Sequence, residues 1–145
     1  HAVNDFRKIC NLQSFTPTDN VSELTARIND EGWENSYKNY LKGSKLNSND
    51  VVMVYSVGGG SKEKNISVNL VNCIDYSKEI GCKIISVIGK ETGYANKKSD
   101  VCLVFDIDDS NFVTPITEGL TSVIWHFLVS HPNLMENKTT WESIK

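Results

Sequence analysis

A chain of 145 residues has room for one domain with a buried core, and 39% hydrophobic with 23% charged residues is ordinary for a globular protein. A net charge of −3 argues against nucleic acid or an anionic membrane surface as the main partner. No apolar run approaches the ~20 residues that cross a bilayer.

Val3, Phe6 and Cys10 recur at helical spacing, so the sequence opens inside a helix, with no capping residue ahead of it. The expectation is that a segment upstream is absent. Residues 11–15 are a candidate short strand. The cluster Thr16-Pro17-Thr18-Asp19-Asn20 joins turn chemistry to a helix cap. A helical stretch from Ser22 to Ile28 follows, then the polar break Asn29-Asp30-Glu31-Gly32. Trp33, Tyr37, Tyr40 and Leu41 resume helical spacing. After a polar connector, Val51-Val52-Met53-Val54-Tyr55 is a continuous β-branched run of the kind found in parallel strands buried on both faces. It enters Ser56-Val57-Gly58-Gly59-Gly60-Ser61 and then an amphipathic helix from about Asn65 to Glu79, stopped by Gly81. Residues 83–88 form a second buried strand, residues 89–99 a loop or short helix, and residues 101–105 a third strand. Residues 114–130 are the last long helix, ended by His131-Pro132. The domain spans residues 1–132, and 133–145 is a polar tail carrying Leu134 and Trp141. Strands alternating with helices imply a parallel sheet covered on both faces.

The four cysteines, Cys10, Cys73, Cys82 and Cys102, include no C-x-x-C pair, and reduced, buried thiols are the expectation.

The strongest local chemistry is the strand–glycine-loop–helix unit. Glycines let main-chain N–H groups approach an anion, and the following helix presents its positive end. Ser56 and Ser61 add hydroxyl donors. No Gly-Lys-Ser/Thr follows, so this is not a Walker loop, and the spacing is not G-x-G-x-x-G. The competing reading is a plain βα turn. His1 and Asp5 share a helical face at i, i+4. Glu118 and His126, eight apart on the last helix, are offset by roughly 80°. Taken singly, either histidine is a helix-surface or satisfied core imidazole, and Asp5 and Glu118 are solvated carboxylates. Together the four would also suit a divalent metal such as zinc. Asp19, Asn29 and Asp30 sit at turn edges, where capping is their ordinary role.

The order of these segments resembles the sugar-isomerase (SIS) family, and within it the phosphoheptose isomerases. The likeness is carried by His1-Ala2-Val3-Asn4-Asp5-Phe6, by the stretch from Thr18 to Gly32, by the loop Ser56 to Ser61, and by Thr117-Glu118 through Trp125-His126. It implies an α/β fold, a flavodoxin-like three-layer αβα sandwich on a parallel sheet, here without its N-terminal helices and first strand. It also implies a homodimer or homotetramer in the cytoplasm. The activity implied is aldose–ketose isomerisation of a phosphorylated sugar, sedoheptulose 7-phosphate, in heptose, lipopolysaccharide or surface-carbohydrate biosynthesis. Asp5 and His126 would handle protons. Ser56, Gly58, Gly60 and Ser61 would hold the phosphate, with Asn29 and Asp30 beside the sugar. Zinc would be held by His1, Asp5, Glu118 and His126, and no organic cofactor is implied. Three positions depart from the family pattern: Asp5 for glutamate, Glu118 for glutamine, and Ser-Val-Gly-Gly-Gly-Ser for Ser-Thr-Ser-Gly-Asn-Ser. A non-catalytic phosphosugar-binding SIS module is the alternative.

Overall fold

A computed structural model describes residues 1–141. Its centre is a three-stranded parallel sheet in the order β1 (Val51–Ser56), β2 (Lys83–Ile88), β3 (Val101–Val104). The helices are α1 (Ala2–Lys8), α2 (Val21–Glu31), α3 (Ser36–Gly43), α4 (Val68–Ile80), α5 (Tyr94–Lys98) and α6 (Val113–Val129). A 3₁₀ turn, Trp33–Asn35, leads into α3.

Side chains alternate across a strand, and that alternation divides the layers. Val54 of β1 and Ile84 and Ile88 of β2 point to one side, where they bury against Ile74 of α4 and Ala95 of α5. Tyr55 points to the other side and meets Trp125 of α6. Helices therefore cover both faces, the three-layer α/β arrangement expected. Ile74, Ile84 and Ile88 are fully buried. Truncating any one to alanine costs about 2–5 kcal/mol.

Several local expectations change. Residues 11–15 form no strand: Asn11 takes a left-handed φ of 54°, and Leu12 N–H donates to Phe6 O to close α1. The helix begun near Ser22 runs through Asn29 and Asp30 to Glu31, because Arg27 pairs with both Glu23 and Glu31 at i, i±4. Asn20 caps it, its Oδ1 accepting from Glu23 N–H at 3.2 Å. The helix expected from Asn65 starts instead at Val68, since Asn65 and Ser67 both adopt left-handed φ. Residues 61–66 fold back on themselves, with Ser61 and Ile66 exchanging two backbone hydrogen bonds.

The expectation of strands buried on both faces holds only for β2. Val51 on β1 and Val101 and Leu103 on β3 are exposed, because these strands are the edges of the sheet and α6 covers only part of that face. Ile116, Leu120, Val123 and Phe127 form an exposed apolar stripe along α6. Residues after α6 turn back: Glu136 and Asn137 donate to Ile9 O, and Met135 and Trp141 pack on Ile9, Cys10 and Val129. All four cysteines are free, and burial raises each thiol, Cys73 to about 12, as suits packing rather than nucleophilic roles. Among the described residues no helix is long and apolar enough to cross a membrane.

Candidate functional site

The site has two parts, one where α1 meets α6 and one at the carboxyl ends of β1 and β2. Asp5 is buried on the inner face of α1. A carboxylate in such a place needs hydrogen-bond donors. Asn4 Nδ2 donates to Oδ1 at 3.1 Å, and Trp125 Nε1 donates to Oδ2 at 3.3 Å. His126 Nε2 lies 3.6 Å from the same Oδ2. His126 Nδ1 is 2.7 Å from Ser122 O. A carbonyl only accepts, so Nδ1 carries a hydrogen and Nε2 is the ring atom left to exchange a proton.

Aromatic rings frame this pair. Tyr55 and Trp125 have centroids 6.3 Å apart, Trp125 and His126 5.1 Å, and His126 and Trp141 5.7 Å. Burial pushes the Tyr55 phenol up to about 12, so it stays protonated near neutrality and serves as a wall.

The glycine loop lies beyond β1, as ligand loops do in open α/β sheets. Ser56 Oγ accepts from Gly59 N–H, and Ser61 Oγ accepts from Lys64 N–H, so each hydroxyl keeps its own hydrogen to donate. Two of the three glycines have a packing reason to be there. Gly59 and Gly60 have φ of 70° and 76°, and their carbonyls accept from Ala95 and Tyr94 N–H, so the loop caps α5. Gly93 interlocks with them, since a Cβ there would stand 2.6 Å from Gly58 O. Gly58 is different: a Cβ on it meets nothing within 4 Å. Despite the later start of α4, a Cβ on Gly60 would sit 3.6 Å from Ser67 O and 3.1 Å from Val71 Cγ2, so the loop still abuts the start of that helix.

Of the sequence-derived residues, the structure brings Asp5 and His126 together. It does not draw His1 and Glu118 into the same group. His1 is exposed and lines a shallow groove of about 510 Å³ with Asn4, Arg7 and Asp19. Glu118 is exposed, one position past the inward stripe of α6. Among the described residues no group of three His, Cys, Asp or Glu side chains lies close enough to hold a metal ion. Asp5 and His126 alone fall short of the three protein ligands a zinc centre usually takes. Asn29 and Asp30 are exposed and bonded to each other at 2.7 Å on α2, which packs against α3 and the 3₁₀ turn.

Two residues escaped sequence reasoning. Trp125 reaches Asp5, and Thr117 buries a hydroxyl against Gly89 with no hydrogen-bond partner. The signal was the series Val113, Thr117, Thr121, Trp125 and Val129 at every fourth position, which is the inner stripe of α6.

No family model matches the chain. The lincomycin biosynthesis protein LmbN of Streptomyces lincolnensis is 30% identical over 121 residues, 83% of this chain and 44% of that protein. The phosphoheptose isomerase of Helicobacter pylori (strain Shi470) is 27% identical over 117 residues, 81% of this chain and 55% of that enzyme. The chain thus spans about half the length of the curated relatives it matches. Among solved structures, a phosphoheptose isomerase from Francisella tularensis superposes with a TM-score of 0.72 at 20% identity, covering 89% of this chain and 65% of that one. One from Neisseria gonorrhoeae gives 0.69 at 18% identity, covering 89% and 66%. In sequence this chain is similar to phosphoheptose isomerases, and it shares the fold of their solved structures.

Proposed function

We propose that this chain carries the proton-transfer half of a phosphosugar isomerase acting on sedoheptulose 7-phosphate in heptose or surface-carbohydrate biosynthesis. The observation that carries the reading is the approach of Asp5 and His126 across two helices, in a chain similar to phosphoheptose isomerases. One group of the pair removes a proton from the carbon beside the carbonyl while the carbonyl oxygen takes up a proton, giving an enediol. The other returns a proton to the former carbonyl carbon as the neighbouring enediol hydroxyl gives up its own, so that the carbonyl moves along the chain with no net change in atoms. The sugar phosphate would lie against Ser56, Gly58, Gly60 and Ser61, with the start of α4 behind Gly60.

The assembly proposed is a homodimer or homotetramer. The exposed stripe Ile116, Leu120, Val123 and Phe127 supports it, being a contiguous apolar face of the kind that subunits cover. Phe127→Glu should lower the mass of the full-length protein in light scattering, and an unchanged mass would take this stripe out of the interface.

The decisive assay is turnover of sedoheptulose 7-phosphate by the full-length protein, followed by the appearance of the aldose. Saturable turnover is expected. Tight binding of the sugar phosphate without turnover would favour a non-catalytic phosphosugar-binding module.

A further inference from the structure

We infer that Trp125 is a positioning residue for Asp5, holding the carboxylate in its proton-transfer geometry through the indole N–H. The inference deepens the isomerase reading and rests on it for its kinetic consequence, but the hydrogen bond itself can be tested without turnover.

Three observations converge. Trp125 Nε1 is 3.3 Å from Asp5 Oδ2, the oxygen that also faces His126 Nε2. The indole touches both the Tyr55 ring from β1 and the neighbouring His126 ring, so the sheet as well as α6 constrains its direction. Asn4 holds the other carboxylate oxygen, so each oxygen has a fixed donor and the carboxylate plane is defined. The chemistry of the donor matters. An indole N–H only donates and does not ionise near neutrality, so it orients the carboxylate without competing as an acid or a base. A histidine, lysine or tyrosine at that place would add a second titrating group beside the pair. Because Asp5 has one methylene fewer than glutamate, it reaches less far, and rotation about its short side chain would carry Oδ2 away from His126. The indole blocks that rotation.

The test uses Trp125→Phe and Asp5→Asn in the full-length protein. The indole N–H resonances of the tryptophans are observed in ¹H–¹⁵N spectra, and the one missing from Trp125→Phe is assigned to Trp125. That resonance should move in Asp5→Asn, where a charged acceptor becomes neutral, while those of Trp33 and Trp141 move less. In kinetics, Trp125→Phe should lower kcat about tenfold or more with little change in KM, the effect of losing one hydrogen bond to a charged group. A Trp125 resonance indifferent to Asp5→Asn would overturn the bond, and this readout stands even if Trp125→Phe folds poorly. Full kcat in Trp125→Phe, with Asp5→Asn inactive, would overturn positioning alone. Full turnover in Asp5→Asn would sink the role of Asp5 as a proton-transfer group, and the positioning role with it, whatever the spectra show.

Discussion

Asp5 Oδ2 and His126 Nε2 stand 3.6 Å apart although 120 positions separate Asp5 from its other α6 neighbour, Trp125. Such a pair can move protons on a bound sugar only if both members act on the same molecule. Asp5→Asn and His126→Gln should each cut turnover by about 10²-fold, the usual size of a general acid–base contribution. The double variant should lose far less than the product of the single losses, because the pair works as a unit. Wild-type turnover in both single variants would end the catalytic assignment.

Gly58 offers a clean probe of the phosphate loop. Its missing Cβ faces open space, so Gly58→Asp introduces a negative charge with little steric cost, whereas Gly59 and Gly60 have positive φ and close neighbours. Calorimetry should find sugar-phosphate affinity lowered about tenfold or more in Gly58→Asp, the scale of one lost charged contact, and nearly unchanged in Gly58→Ala. Equal affinity for all three proteins would remove the loop from the site.

Thr117 and Gly89 are locked by close packing at the end of β2. A Cβ on Gly89 would fall 2.1 Å from Thr117 Oγ1 and 3.1 Å from Val113 Cγ1. Gly89→Ala should destabilise the protein by about 1–3 kcal/mol in urea unfolding, as overpacking does. Adding Thr117→Ala to it should recover part of that loss, since the two sites touch and their effects are coupled. Additive losses in the cycle would show that the strain lies elsewhere.

Asp100 fastens β2 to the entry of β3. Its Oδ2 accepts from Ile84 N–H at 2.9 Å, its own N–H donates to Ile84 O at 2.9 Å, and Lys78 and Lys83 flank the carboxylate. The Ile84 N–H, then the two lysines, hold this carboxyl well below the usual carboxylate range. Because its folded value is lower than its unfolded one, its stabilisation is present above the unfolded value and fades as pH falls below it. Asp100→Asn should therefore be less stable than the wild type at neutral pH, and the gap should narrow toward about pH 3, below the ordinary aspartate value. A gap of constant size across that range would show that the charge contributes nothing.

Much of the architecture was legible in the chain. The β-branched runs at 51–55 and 83–88 gave the strands, Gly81 ended α4, and the long apolar period from 114 to 130 gave α6, each within a residue or so. These are local signals, and the hydrophobic period and backbone preferences of a segment express themselves wherever it sits. The errors lay where local preference yields to neighbours. Residues 11–15 lacked a strand to pair with, and left-handed turns at Asn65 and Ser67 delayed α4. The candidate site divided along the same line. Residue types and the order of segments singled out Asp5, His126 and the glycine loop, because carboxylate, imidazole and glycine carry their chemistry with them. Which partners each would meet was decided by the rotation of α6 against α1. That rotation turns Trp125 onto Asp5, sets His126 at the border, leaves Glu118 in solvent, and follows from burying every fourth residue of α6, a packing outcome that no single position encodes.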